Sequence, residues 1–144
     1  MENEFLRHTL STIAYRFQSA VSKADTKFGN FSAGNGSRTP NEIINHMYHV
    51  LHATRVFISE ERYNKQPPEK LNMRSEIDRF IAEIKNLDHV LAKKPLEINY
   101  AKRLLQGPFS DLLTHIGQIS LLSRLNGKPI TGEDFSSAPI TILP

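Results

Sequence analysis

The sequence predicts an all-α fold: an antiparallel four-helix bundle with a long loop after the first helix and an extended C-terminal tail. Three observations predict it. Apolar residues recur at three and four positions through most of the chain, Gly and Pro cluster between those stretches, and no segment alternates apolar with polar over a useful strand length. The chain has 144 residues, 39% hydrophobic and 23% charged, which suits one domain over 1–144 with enough apolar mass for a core.

From Glu4 to Val21 the residues Leu6, Leu10, Ile13, Phe17 and Val21 form one apolar stripe, the first helix. Thr26 to Pro40 holds Gly29, Gly34, Gly36 and Asn35 with little periodicity, so it reads as the long loop. Thr39-Pro40-Asn41-Glu42 then announces a helix: a cap residue, a proline where no N–H is needed, and a glutamate placed to close a capping box. This second helix runs to about Ser59, with Ile43, Met47, Val50, Ala53, Val56 and Phe57 as its buried side.

Polar residues and Pro67-Pro68 end it, and Ser75 is read as the cap of a third helix, which buries Ile77, Phe80, Ile84, Leu87 and Leu91 and reaches Lys93. Leu96 to Leu105 reads as a short helix interrupted by Gly107-Pro108, with Pro108 opening the last long helix through Leu125 and Asn126-Gly127 stopping it. Residues 127–144 contain Pro129, Pro139 and Pro144 and read as extended, yet Ile130, Phe135, Ile140, Ile142 and Leu143 make this tail apolar enough to dock.

Composition excludes several function classes. With no cysteine there is no disulfide, no thiolate zinc site and no thiol nucleophile, so any metal must use His and carboxylate ligands. The net charge is +3 and the basic residues are scattered; Lys93-Lys94 and Lys102-Arg103 are short runs without interleaved aromatics, which fits no specific nucleic acid. The first ten residues lack a continuous apolar core and no stretch nears the roughly 18 apolar residues of a span, so the expected location is cytoplasmic, with no membrane partner.

Six histidines occur, and helical geometry sorts them. At about 100° per residue, His46 falls within the arc of Ile43, Val50, Ala53 and Phe57 and is expected to point inward, His49 lies at its edge, and His52 lies outside it. On the last helix, Asp111 and His115 stand one turn apart, about 40° from each other, in what reads as an apolar seam. A carboxylate taken out of water must neutralise, meet a cation or bind metal. Two ligands at this spacing share one face and His46 supplies a third, a set suited to Zn²⁺, Ni²⁺ or Fe²⁺. Equally, Asp111 accepts a hydrogen bond from His115 or pairs with an arginine while His46 is a satisfied core histidine. His8, His52 and His89 read as surface or packing residues, and His49 as a reserve ligand.

These residues carry a resemblance. The stretch Thr39-Pro40-Asn41-Glu42-Ile43-Ile44-Asn45-His46 is similar to the Ser-x-x-Glu-(apolar)-(apolar)-x-His of the DinB/YfiT-like family of metalloenzymes. Asp111-Leu112-Leu113-Thr114-His115-Ile116-Gly117-Gln118 resembles that family's His-x-x-x-His-x-Gly-Gln, and Leu122 to Ile130 also reads like its members. The resemblance spans most of the chain and implies a four-helix bundle with a metal held by a histidine triad. His46 and His115 match two ligands, and Asp111 stands where many members carry the remaining histidine. Gln118 reads as a contact to the metal-bound histidine, to substrate, or as an edge polar residue; Glu42 reads first as the capping-box partner.

Two functions follow as expectations. One is a metal-dependent enzyme, a transferase or hydrolase in which a divalent ion, Zn or Ni before Fe, activates water or a thiol. The resemblance implies a small-molecule substrate, a low-molecular-weight thiol cosubstrate and a homodimer. The other is a non-catalytic binding or stress-response module with a weak or vestigial metal site, for which Asp111 is the main support.

Overall fold

The computed structural model describes residues 2–142, and every α-helix among them contributes to one apolar core. Helix α1 spans Glu4–Ala20, α2 Pro40–Glu60, α3 Met73–Lys93, α4 Ile98–Leu104 and α5 Ser110–Leu125, and there is no strand among the described residues. Leu10, Ile13 and Phe17 of α1, Ile44, Met47 and Leu51 of α2, Phe80, Ile84 and Leu87 of α3, and Leu112 and Ile119 of α5 are fully enclosed. The rings of Phe17 and Phe80 meet at 4.6 Å, joining α1 to α3 at the centre. No helix among the described residues is long and apolar enough to cross a membrane.

The start of α2 is built as its residues dictate. Thr39 Oγ1 accepts from Glu42 N at 3.2 Å while Glu42 Oε1 accepts from Thr39 N at 3.0 Å, the reciprocal capping box. Before it, a 3₁₀ turn at Phe28–Asn30 inserts the buried Phe28 into the core.

Helix α3 begins earlier than expected. Asn72, and not Ser75, is its cap: Asn72 Oδ1 accepts from Ser75 N at 2.9 Å. Both residue types cap well, and the segment after Pro68 turns into the helix early enough to bury Met73.

Gly107-Pro108 does not break the chain into two helices. A π turn over Leu105–Phe109 joins α4 to α5, with Pro108 inside it, so Ser110 and not Pro108 opens α5. Proline has no N–H for the carbonyl one turn back, and a wider turn accommodates that loss without ending the helix. Ser110 Oγ donates to Leu105 O at 2.5 Å, satisfying one of the carbonyls the turn displaces.

Three carboxylates of α3 are buried, and each is paired. Asp88 accepts from Arg7 Nε and Nη2 at 2.8 and 3.0 Å. Glu83 meets His52 at 3.2 Å and Arg55, and Glu76 accepts from Arg79 at 2.6 Å, Leu71 N at 3.0 Å and Asn45 Nδ2 at 3.1 Å. Burial without these partners would cost several kcal/mol per ion (about that order in folded proteins). Together they fix α1 and α2 against α3.

The tail runs along α1. Lys23 Nζ donates to Pro129 O and Lys128 Nζ to Asp25, each at 2.6 Å. Phe135 packs edge-on against Tyr15 and under the Arg16 guanidinium, 4.0 Å from the ring centre. Of the apolar residues expected to dock it, Leu143 lies outside the described residues.

Candidate metal centre at the α2–α5 rim

His46 from α2 and His115 from α5 meet edge to face, their ring centres 5.0 Å apart and their planes at 88°. Two separated segments therefore aim imidazoles at one place. The place is the rim of the bundle and not its interior. On α2 the buried face is Ile43, Ile44, Met47, Leu51 and Ile58, with Val50, Ala53 and Phe57 only partly covered, so the inward arc is rotated from the expected one. His46 is accordingly half-buried, a correction to its expected inward orientation.

The same rotation applies to α5. Its covered face is Leu112, Ile116, Ile119, Leu122 and Ser123, and at about 100° per residue Asp111 sits roughly 95° from the middle of that face. Asp111 is exposed, which corrects its placement in an apolar seam; water solvates the carboxylate, so no partner is forced on it. His115, about 40° nearer the core, is half-buried, while Gln118 is exposed.

His115 Nδ1 lies 2.8 Å from Gln118 Oε1. A carboxamide oxygen only accepts, so Nδ1 is the donor in this bond and Nε2 is the nitrogen left facing away from Gln118. His46 has its pKa pulled below the ordinary histidine value, first by burial and then by the nearby charges of Arg38, His115 and His49, with Asp111 pulling weakly the other way. It is therefore neutral at pH 7, the state in which imidazole donates an electron pair.

Behind His46 the helix is held in place. Asn45 donates to Glu69 O at 3.0 Å and to the buried Glu76, tying this turn of α2 to α3 and to the segment before it. His52 belongs to the Glu83 pair and stacks on Tyr48, and His8 and His89 are exposed, as their surface or packing reading required.

Among the described residues no group of three or more His, Asp or Glu side chains is arranged to hold a metal ion. The donor types nonetheless suit a divalent ion: two imidazoles, one of them oriented through its far nitrogen in the manner of metal-ligating histidines. A solvated carboxylate stands one turn before His115, with no ion pair or hydrogen bond among the described residues.

Sequence reasoning missed Arg38. It precedes the α2 cap, lines the cleft beside His115, and is the foremost charge acting on His46. Its position directly before Thr39-Pro40 was the available signal, since a cap fixes the residue ahead of it as firmly as those behind.

Comparison with protein-family models, with curated proteins and with solved structures yields no match for this chain.

Proposed function

We propose that the chain is a metal-dependent enzyme of the DinB/YfiT-like type, an antiparallel four-helix bundle that works as a transferase or hydrolase on a small molecule. The observation that carries this reading is the meeting of His46 and His115 from two helices, with Gln118 fixing the tautomer of His115. His46 and His115 would hold a single Zn²⁺, Ni²⁺ or Fe²⁺, with the exposed Asp111, one turn before His115, as the third ligand. Such an ion supplies Lewis acidity, easing loss of the proton from a thiol or water.

The chain's own residues do the rest. Burial keeps His46 unprotonated, Gln118 orients His115, and the capping box together with Asn45 fixes the turn that carries His46. With no cysteine in the sequence, the nucleophile comes from water or from a low-molecular-weight thiol as cosubstrate. Pairing of two copies fits the exposed Phe5, Ile98 and Leu105, away from the histidine pair.

Elemental analysis of protein purified without a His tag tests the reading. About one divalent ion per chain is expected, lost in both His46→Ala and His115→Ala. The exposure of Asp111 favours a second reading, a non-catalytic binding or stress-response module with a vestigial site. Ion-free protein whose stability is unchanged by either substitution would establish that second reading.

A further inference from the structure

Beside His115 the surface opens into a groove of about 340 Å³, at the low end of the roughly 300–1,000 Å³ usual for small-molecule sites. Its wall is aliphatic: Ile43 from α2, and Leu121, Leu122 and Leu125 from α5. Leu121 and Leu125 are each 56% exposed, so these two leucines face water, while Ile43 and Leu122 are buried. His115 and Gln118 stand at one side of the groove and Arg38 at another.

Among the described residues, Arg38 and His115 are the basic side chains lining the groove and no acidic side chain lines it; Glu42, whose carboxyl Arg38 helps to hold below its ordinary pKa, stands outside the lining. The guanidinium makes no ion pair or hydrogen bond with any described residue, in contrast to Arg7, Arg55 and Arg79, which hold the buried carboxylates of α3. An arginine carries five donors in a rigid fork whose natural complement is a carboxylate. One concavity thus brings together an aliphatic wall, a guanidinium without an ion pair among the described residues, and the proposed metal-binding imidazole.

We infer that the groove seats a small organic acid, its hydrocarbon body against Leu121, Leu122 and Leu125 and its carboxylate on Arg38, so that the groove supplies the substrate for the histidine pair. This rests on the proposed function in one respect: the groove opens onto His115. A polyphosphate ligand is disfavoured, because a single guanidinium over a mostly apolar wall leaves several charges unmatched.

The test is amide chemical-shift mapping of the ¹⁵N-labelled full chain in chelator, with octanoate, octan-1-ol and octylamine as probes of equal length. Octanoate is expected to move the amides of Ala33, Arg38 and Ile43 and those of 115–125, and to bind more tightly than the alcohol or the amine. Arg38→Gln should weaken octanoate by about ten- to hundredfold, the scale of a charge-assisted hydrogen bond, and abolish its advantage over octanol. Leu121→Ser should weaken both probes alike. Binding indifferent to the headgroup, or shifts mapping elsewhere, overturns the inference. So does concentration-dependent movement of the same amides without any probe, which would assign the groove to a second copy of the chain. Because metal is absent throughout, failure of the metal reading leaves this result standing, and the reverse also holds.

Discussion

Gln118 Oε1 accepts the Nδ1 proton of His115 at 2.8 Å, and that one bond decides which nitrogen of His115 is free. Replacing Gln118 by Leu should lower affinity for Zn²⁺ or Ni²⁺ by about ten- to hundredfold, the range for loss of a partner that orients a ligating histidine. Gln118 is exposed, so the thermal midpoint in chelator should stay unchanged. Titration calorimetry of the two proteins reads the difference.

His46 is held below its ordinary pKa, so the unfolded chain takes up a proton more readily than the folded one. Stability on this account is full above the unfolded value of about 6.5 and falls as pH drops through that value toward the lower folded one. In chelator, wild type should lose stability relative to His46→Asn as pH is lowered from about 7.5 to about 5.5. Parallel denaturant midpoints for the two proteins over that range would contradict the assignment.

Asp88 and Arg7 form a bidentate pair with side-chain exposures of 2% and 10%. Asp88→Ala strands a buried guanidinium and should cost roughly 3–5 kcal/mol. The double variant Arg7→Met, Asp88→Leu should recover most of that loss, because no charge is then left in the apolar interior. Urea unfolding of the wild type and both variants provides the comparison.

Gly29 is buried with no room for a methyl group: a Cβ there would stand 2.6 Å from Asn41 Oδ1 and 2.8 Å from its Cγ. Gly29→Ala should destabilise by about 1–2 kcal/mol. Asn41→Ala in the same chain should relieve part of the cost, giving a favourable coupling in a double-mutant cycle.

Helix content was legible where residues act locally. The Thr39 to Glu42 cap, the apolar stripe of α1 and the stop at Asn126-Gly127 need only neighbouring positions, and all three stand in the structure. Asn72 and Ser75 cap equally well on local grounds, so only packing of Met73 separates them. The direction each helix faces was less legible, because it depends on partners. Val50, Ala53 and Phe57 match the helical period as well as Ile44, Leu51 and Ile58 do, yet α2 packs chiefly on α3, and that contact chooses the second set. The pairing of Glu83 and Asp88 was invisible for the same reason, since their arginines lie 28 and 81 positions away, whereas Glu76 meets Arg79 at local helical spacing. His46 and His115 were legible as a couple; the solvated position of Asp111 was not.

A single divalent ion shared by His46 and His115 is what the proposed function requires. Long-range ¹H–¹⁵N spectra of the imidazoles during a Zn²⁺ titration test it most directly. Two of the six histidines, assigned through His46→Ala and His115→Ala, should shift together and saturate at about one equivalent, with His115 keeping its Nδ1 proton. Imidazoles of His46 and His115 that stay unmoved at saturating Zn²⁺ would contradict it.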